Sequence, residues 1–352
     1  MLATALNAQL TIGGTPLVYD KLTNTYLLTV PEEVFGGPYL APAVIDSDVT
    51  DVMINGKTLT KSANFPIVDG TAGYSFSFKQ NGIENRSTIY FTYLPIMSIT
   101  GTFSNDYVEA PVKFIFPDGK GAVNYKARIK QAGASTNTQW IDKHNYHVKF
   151  VDDYGEKMDV SFFGLRDDNH WRLDAGTRDM IRFRNFAANG LWADFGTKSY
   201  YADKQPKARS YIRGSHVEVF MNGNYHGFYN LSEFLDRKQL KLKKYDTSEV
   251  QNADGSTGVE TKMHGMLWKV NESNSFTLFN LYVDDCDNTA GEWLGFELDY
   301  PDIDEVCPTD YSVIKNAVKF VAWNNQATFD SHAAEYFDMA ALVDRQRELP
   351  QE

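Results

Sequence analysis

Cysteine is scarce in this 352-residue chain: Cys286 and Cys307 stand alone, in the acidic segments YVDDCDNT and DEVCPTDY. Two cysteines exclude a disulfide-framework fold, and no Cys/His spacing here matches a zinc site. They leave either two free thiols or, in an exported protein, one bridge closing a loop of about 20 residues and worth about 3 kcal/mol. Long apolar runs are missing too, with nothing near the ~18 consecutive apolar residues of a membrane helix. Positive charge is in deficit, 34 Lys and Arg against 46 Asp and Glu, for a net charge of −12. That balance excludes a general nucleic-acid surface, because neutralising phosphates takes clustered cations. No serine sits in a G-x-S-x-G elbow and the seven histidines are scattered, so a hydrolase triad has no support. Internal repeats and low-complexity tracts are absent as well.

Aromatic residues are abundant, at 14% with 20 Tyr and 23 Phe. Aromatic and β-branched side chains fill pleated surfaces well, so more strand than helix is expected. The opening MLATALNAQLTIGG carries a small-residue stretch, ALNAQ, like the cleavage region of a secretory signal, without the positive and apolar regions that precede one. It reads either as a clipped signal, which would make the protein secreted or surface-bound, or as an ordinary frayed N-terminus.

Residues 9 to about 95 alternate in short runs broken by turn residues: QLTIGG, TYLLTVP, DVMINGKTLT and GYSFSFKQNGIENRSTIYFTYLP. We expect an immunoglobulin-like β-sandwich over residues 1–94. Asn55-Gly56 and Asn81-Gly82 suit two-residue hairpins, because a type I′ turn needs positive φ at both central positions. A second unit, 95–344, begins with strands in IMSITGTF, VKFIFPD, VNYKARIKQAG and NYHVKFVD, and 345–352 reads as an irregular tail. In NYHVKFVD the period of two puts Tyr146, Val148 and Phe150 on one face, His147 and Lys149 on the other. From Thr177, Met180, Phe183, Ala187 and Leu191 recur at three and four, predicting a helix with Asp179 in its first turn and Gly196 at its end. A hairpin follows, HVEVFMNGNYHGFYNLSE, turning at Asn222-Gly223. Gly227 inside its second strand signals a bulge or a close approach by a neighbour. Further on, MLWKV reads as a strand and YSVIKNAVKFVAWNN as a helix.

Three groups of residues bear on chemistry. The loop in KQAGASTNTQW, between two predicted strands, exposes N–H groups that can cradle phosphate oxygens, and the following strand can present a lysine; a plain turn has the same composition. Arg182, Arg184 and Asn185 add positive charge and a donor, while Glu233 and Asp236 close the hairpin. A carboxylate there holds a phosphate-binding lysine in place or makes a surface ion pair. The acidic set Asp284, Asp285, Asp287, Asp302, Asp304 and Glu305 misses the EF-hand register and reads as solvated loop. The basic run from Arg237 to Lys244 reads as a solvated face.

Taken together, three segments resemble one family, the CotH (spore coat protein H) family, related to protein kinases. AGASTNTQWIDKHNYHVKF is similar to its G-G-S-[ST]-R…K-K-x-Y-R-[VI]-K-[FL] segment. GLRDDNHWRLDAGTRDMIRFRNFAA is similar to its W-x-L…D-x-x-x-x-R-N helix. VEVFMNGNYHGFYNLSEFLDRKQL nearly completes its hairpin, V-E-[VL]-[YF]-x-N-G-x-Y-x-G-x-Y-x-L-x-E-x-[IL]-[DE]. Departures are Ala134 for the second glycine, Asn137 for arginine, and His144 and His147 for basic residues.

The resemblance implies an α+β chain with a protein-kinase-like domain that binds ATP with Mg²⁺ and passes phosphate to serines on partner proteins. It implies nucleotide-binding roles for Ser135, Thr136, Lys143, Lys149, Arg184, Asn185 and Glu233, with the lysine role on Lys149. The family's catalytic aspartates follow a helix like FDMAALVD, in an N-x-D and then a W-D-[FY]-D segment. Neither segment occurs after Asp344, so we expect a C-terminally truncated domain, inactive or nucleotide-binding only, as a pseudokinase is. The alternative expectation is a non-enzymatic surface or adhesion protein whose aromatic loops bind a protein or glycan.

Overall fold

Alternation of apolar and polar residues decides most of this architecture. The computed structural model describes residues 10–35, 49–59, 70–133, 136–138, 140–270, 287–302, 306 and 309–341, with the backbone of 38–40 and 64–66. Ser135, Cys286 and Cys307, and with them the disulfide alternative, lie outside the described residues. The chain is α+β, mostly strand with few helices. It divides into two compact units, Met1–Ala188 with Arg213–Glu233, and Asn189–Ile212 with Phe234–Glu352. No described helix is long and apolar enough to cross a membrane.

The first unit opens with a six-stranded sheet built from β1 (Val18–Asp20), β2 (Thr25–Thr29), β3 (Val49–Ile54), β4 (Lys57–Thr58), β5 (Tyr74–Gln80) and β6 (Ile83–Thr92). Their order is β1-β2-β6-β5-β3-β4, with β2 and β6 parallel. Alternate residues, among them Tyr26, Leu28, Phe76, Phe78, Ile89 and Phe91, form a buried core on one face. Both expected hairpin turns are present: φ is +49° and +73° at Asn55-Gly56, and +51° and +80° at Asn81-Gly82. An L-residue tolerates that region poorly, and Asn and Gly tolerate it best.

Seven further strands close into a barrel: β7 (Ile96–Ile99), β8 (Val108–Ile115), β9 (Ala122–Ala132), β10 (Asn145–Val151), β11 (His170–Asp174), β12 (Gly214–Met221) and β13 (Asn224–Ser232). The order is β7-β8-β9-β10-β11-β13-β12, and the parallel pair β7–β12 closes the ring. Val112 and Phe114, Ala127 and Ile129, Val148 and Phe150, Trp171 and Leu173 all point inward. The β12–β13 hairpin turns at Asn222-Gly223, with φ of +55° and +79°. Its register shifts between Val219 and Phe220, so the strand bulges beside Gly227.

The helix expected from Thr177 starts later, as α1 (Arg184–Phe195). Asp179 accounts for the difference. Its carboxylate accepts from the amides of Ile181, Phe183 and Arg184, which holds residues 179–183 in a turn and caps the helix beyond it. Arg182 takes a left-handed φ of +54°, and Met180, counted in the apolar stripe, is 97% exposed. Gly196 does close the helix, its amide bonding the Trp192 carbonyl.

In the second unit, α2 (Arg237–Leu240) is capped by Asp236, whose carboxylate accepts from the Gln239 amide. A two-stranded ribbon, β14 (Asp246–Gln251) with β15 (Thr257–Lys262), precedes a three-stranded sheet of β16 (Leu267–Val270), β17 (Glu292–Trp293) and β18 (Phe296–Tyr300). The expected C-terminal helix is α3 (Ser312–Trp323), followed by α4 (Gln326–Tyr336). Phe320 of α3 stacks on Tyr336 of α4 with centroids 4.1 Å apart.

Trp171 is fully buried in the barrel, its ring edge-on to Phe162 and its indole N–H donating to the Asp168 carbonyl. Truncating it leaves a cavity that surrounding rings fill only in part. Trp171→Ala should cost about 3–5 kcal/mol, read as a lower denaturant midpoint at unchanged slope.

Candidate functional site

Because successive strand residues face opposite sides, the barrel's outward positions are set by the same register that fills its interior. On β9, β10 and β11 a contiguous group of those positions is basic, with Asp174 an acidic outward residue at the end of β11. Arg128 is paired with Lys149, Lys130 with His147, Lys149 with His170, and His147 with Arg172. Six ionisable nitrogen side chains therefore share one face, opposite Tyr146, Val148 and Trp171.

Tyr107 lies against this face. The Lys149 ammonium is 4.5 Å from its ring centroid and the Lys130 ammonium 4.8 Å. Such contacts attract a cation without neutralising it. Lys149 is held below the usual lysine range, by desolvation first and then by Lys130, Lys157 and Arg128. His170 is pushed down to about 3, chiefly by burial, with Lys149 and His147 adding to it and Asp168 opposing. A neutral imidazole surrounded by crowded cations marks a surface that an anion would relieve.

Glu233 is 1% exposed at the end of β13. One carboxylate oxygen accepts from the Arg166 amide at 2.9 Å, the other from the Arg213 amide at 3.0 Å. Arg166 in turn pairs with Asp168 at 2.6 Å, and both side chains are nearly buried. Asp168 accepts from the amides of Asn169 and His170. Lys149 is the cross-strand partner of His170, and Glu233 is linked to His170 by relay, through the Arg166 amide, the Arg166–Asp168 pair and the His170 amide.

Thr136, Lys143, Arg184 and Asn185 collect elsewhere, around one end of the barrel. The Lys143 ammonium donates to the carbonyls of Ala175, at 3.2 Å, and Phe228, and stands 4.2 Å from the Tyr229 ring centroid. It packs on Gly227, where a Cβ would come within 3.2 Å of its Cε; both explanations for that glycine, bulge and close approach, hold. Burial, with Arg182 nearby, brings Lys143 down to about 8. The Thr136 hydroxyl accepts from Asn145, whose other amide atom receives the Ala175 N–H. Asn185 donates to Asp174 at 2.9 Å, and Arg184 pairs with Asp179 at 3.4 Å. Six of the seven expected residues therefore fall in two groups, and the seventh, Ser135, lies outside the described residues.

Sequence reasoning passed over Arg128, Lys130, His170, Arg172 and Tyr107. The signal was present in HWRLD, where His170, Arg172 and Asp174 alternate with Trp171 and Leu173. Reading that segment at a period of two would have extended the Lys149 face across a third strand.

The architecture is that of a strand-rich α+β protein. A family model described as CotH kinase protein matches residues 129–344, more than half of the chain. The chain belongs to the CotH kinase family. No curated protein matches it.

The depressed pKa of His170 has a consequence for acid stability. Between its ordinary value of 6.5 and about 3, the unfolded chain binds a proton that the folded chain does not. Stability falls as pH drops through that window, by at most about 1.4 kcal/mol per pH unit from this one group. Urea midpoints at pH 7 and 4.5 should therefore diverge less in His170→Asn than in the unchanged protein. Equal losses would mean that His170 is not held neutral.

Proposed function

We propose that this chain is a CotH-like relative of protein kinases that binds ATP on the basic face of β9, β10 and β11. Lys149 contacts the phosphates, Lys130 and Arg128 supplement its charge, and Glu233 keeps the hairpin exit at the site's edge. In the family setting this site would serve transfer of the γ-phosphate to serines of a partner protein. The observation carrying the reading is the cross-strand run Arg128–Lys149–His170, flanked by Lys130, in a chain whose net charge is −12. A concentrated positive face on an acidic protein suits a polyanion, and three adjacent strands fix its geometry before the ligand arrives.

The triphosphate fits these donors, since ammonium and guanidinium groups pair with phosphate oxygens. Thr136, Lys143, Arg184 and Asn185 form a second set of donors around the barrel end, and we assign them the support of the loop and of α1. Magnesium is different. Among the described residues no three His, Cys, Asp or Glu side chains converge, and we assign none to the metal. When bound, the metal would neutralise charge on the β- and γ-phosphates, as phosphoryl transfer demands. For this chain we propose nucleotide binding and assign none of its residues a transfer step.

Thermal unfolding with ATP and MgCl₂ tests this. A stabilising ligand raises Tm with concentration, and Lys149→Ala should weaken ATP about tenfold, about 1.4 kcal/mol. No shift with ATP, or an unchanged affinity in the variant, would remove the reading.

A further inference from the structure

Away from the basic face, the first unit contains a cleft of about 430 Å³ between the six-stranded sheet and the barrel hairpin. We propose that this cleft binds a small organic cation of the alkylammonium class. Its floor is the sheet face opposite the Tyr26–Phe76 core. Thr25 and Leu27 of β2 and Tyr90 and Thr92 of β6 project there, with Leu27 and Tyr90 directly paired. Its roof is Glu218 and Phe220 of β12 with Tyr225 of β13.

Charge selects the ligand. Asp20 and Glu218 both line the cleft, and among its described lining residues there is no lysine, arginine or histidine. Asp20, 5% exposed, is fixed by three bonds: Leu22 N–H at 3.1 Å, Tyr225 N–H at 3.2 Å and the Thr23 hydroxyl at 2.5 Å. Glu218 receives the Tyr225 hydroxyl at 2.6 Å and the Thr92 hydroxyl at 3.4 Å. All these donors are neutral, so two carboxylates share a partly desolvated space with no cation in its walls. Burial raises the Glu218 pKa even against those bonds and the field of Lys143. An arriving cation would reverse that shift, which amounts to binding free energy.

The rings select the kind of cation. Tyr90, Phe220 and Tyr225 lie beside the two carboxylates, Phe220 and Tyr225 in an edge-to-face pair with centroids 5.4 Å apart. Aromatic faces attract alkylammonium groups and bury their methyls, whereas a small hydrated metal ion needs more oxygen ligands than two anchored carboxylates supply. The volume lies within the range of small-molecule sites. Anions are repelled, so the cleft is distinct in its ligand from the face around Lys149.

Choline and its neutral isostere 3,3-dimethylbutan-1-ol separate charge from shape. Calorimetric titration of the whole chain at pH 7.5 should show saturable choline binding, at least tenfold tighter than the alcohol. Glu218→Gln should weaken choline at least tenfold and leave the alcohol unchanged, with an unaltered circular dichroism spectrum. Tyr90→Ala, on a half-exposed ring, gives a second variant should Glu218→Gln fail to fold, and it should weaken choline several-fold. Choline affinity should also fall with acidification, and from a higher pH than an ordinary carboxylate would cause, because burial raises the Glu218 pKa. Equal binding of the two compounds, no saturable heat with millimolar choline, or a Tyr90→Ala protein binding as tightly as the unchanged chain would overturn the proposal.

Discussion

Closure of the seven-stranded barrel by the parallel β7–β12 pair is the constraint on which the rest depends. An open sheet can slip its register, but a ring in which Ile96 pairs with Glu218 and Ile99 with Met221 cannot slip one strand without misplacing the others. Inside, that register stacks Trp171, Phe114, Phe150 and Val219 into one core. Outside, it sets Arg128, Lys149 and His170 in a row. Packing and charge placement are therefore two readings of one hydrogen-bond ladder.

Two carboxylates carry out related local tasks around this ring. Glu233 ties the Arg166 and Arg213 amides to the end of β13, and Asp179 gathers three amides ahead of α1. Each anion satisfies main-chain donors that a turn would otherwise leave exposed or unpaired. Arg166 and Asp168 extend the arrangement toward His170, whose main-chain amide the Asp168 carboxylate also accepts from.

Much of this was legible in the sequence, for physical reasons that differ from element to element. Asn-Gly pairs announced three turns because few other dipeptides accept positive φ twice. The strand of Tyr146, Val148 and Phe150 announced its faces because period two is unambiguous over seven residues. The start of α1 was not legible: Met180 and Phe183 fit a helical stripe, and nothing in periodicity reveals that Asp179 captures the amides first. The basic face was half legible. The outward side of Lys149 could be read from its own strand, and that of His170 and Arg172 from the alternation in HWRLD, but which of these residues stand side by side is set by strand pairing, Arg128 with Lys149 and Lys149 with His170, which no single segment encodes. The cleft holding Asp20 and Glu218 was invisible for the same reason, since its walls are about 200 residues apart.

The three Asn-Gly turns also bear on how the protein ages. Deamidation at such a pair requires the glycine nitrogen to reach the asparagine side-chain carbonyl carbon. Asn222 is tethered at both ends of its amide, accepting from the Gly101 N–H and donating to the Gly101 carbonyl. Asn55 is held by the amide and hydroxyl of Ser75. Asn81 has no such tether among the described residues, so among these three turns spontaneous conversion to aspartate and isoaspartate would begin at the β5–β6 hairpin, in the middle of the six-stranded sheet, and spare the barrel.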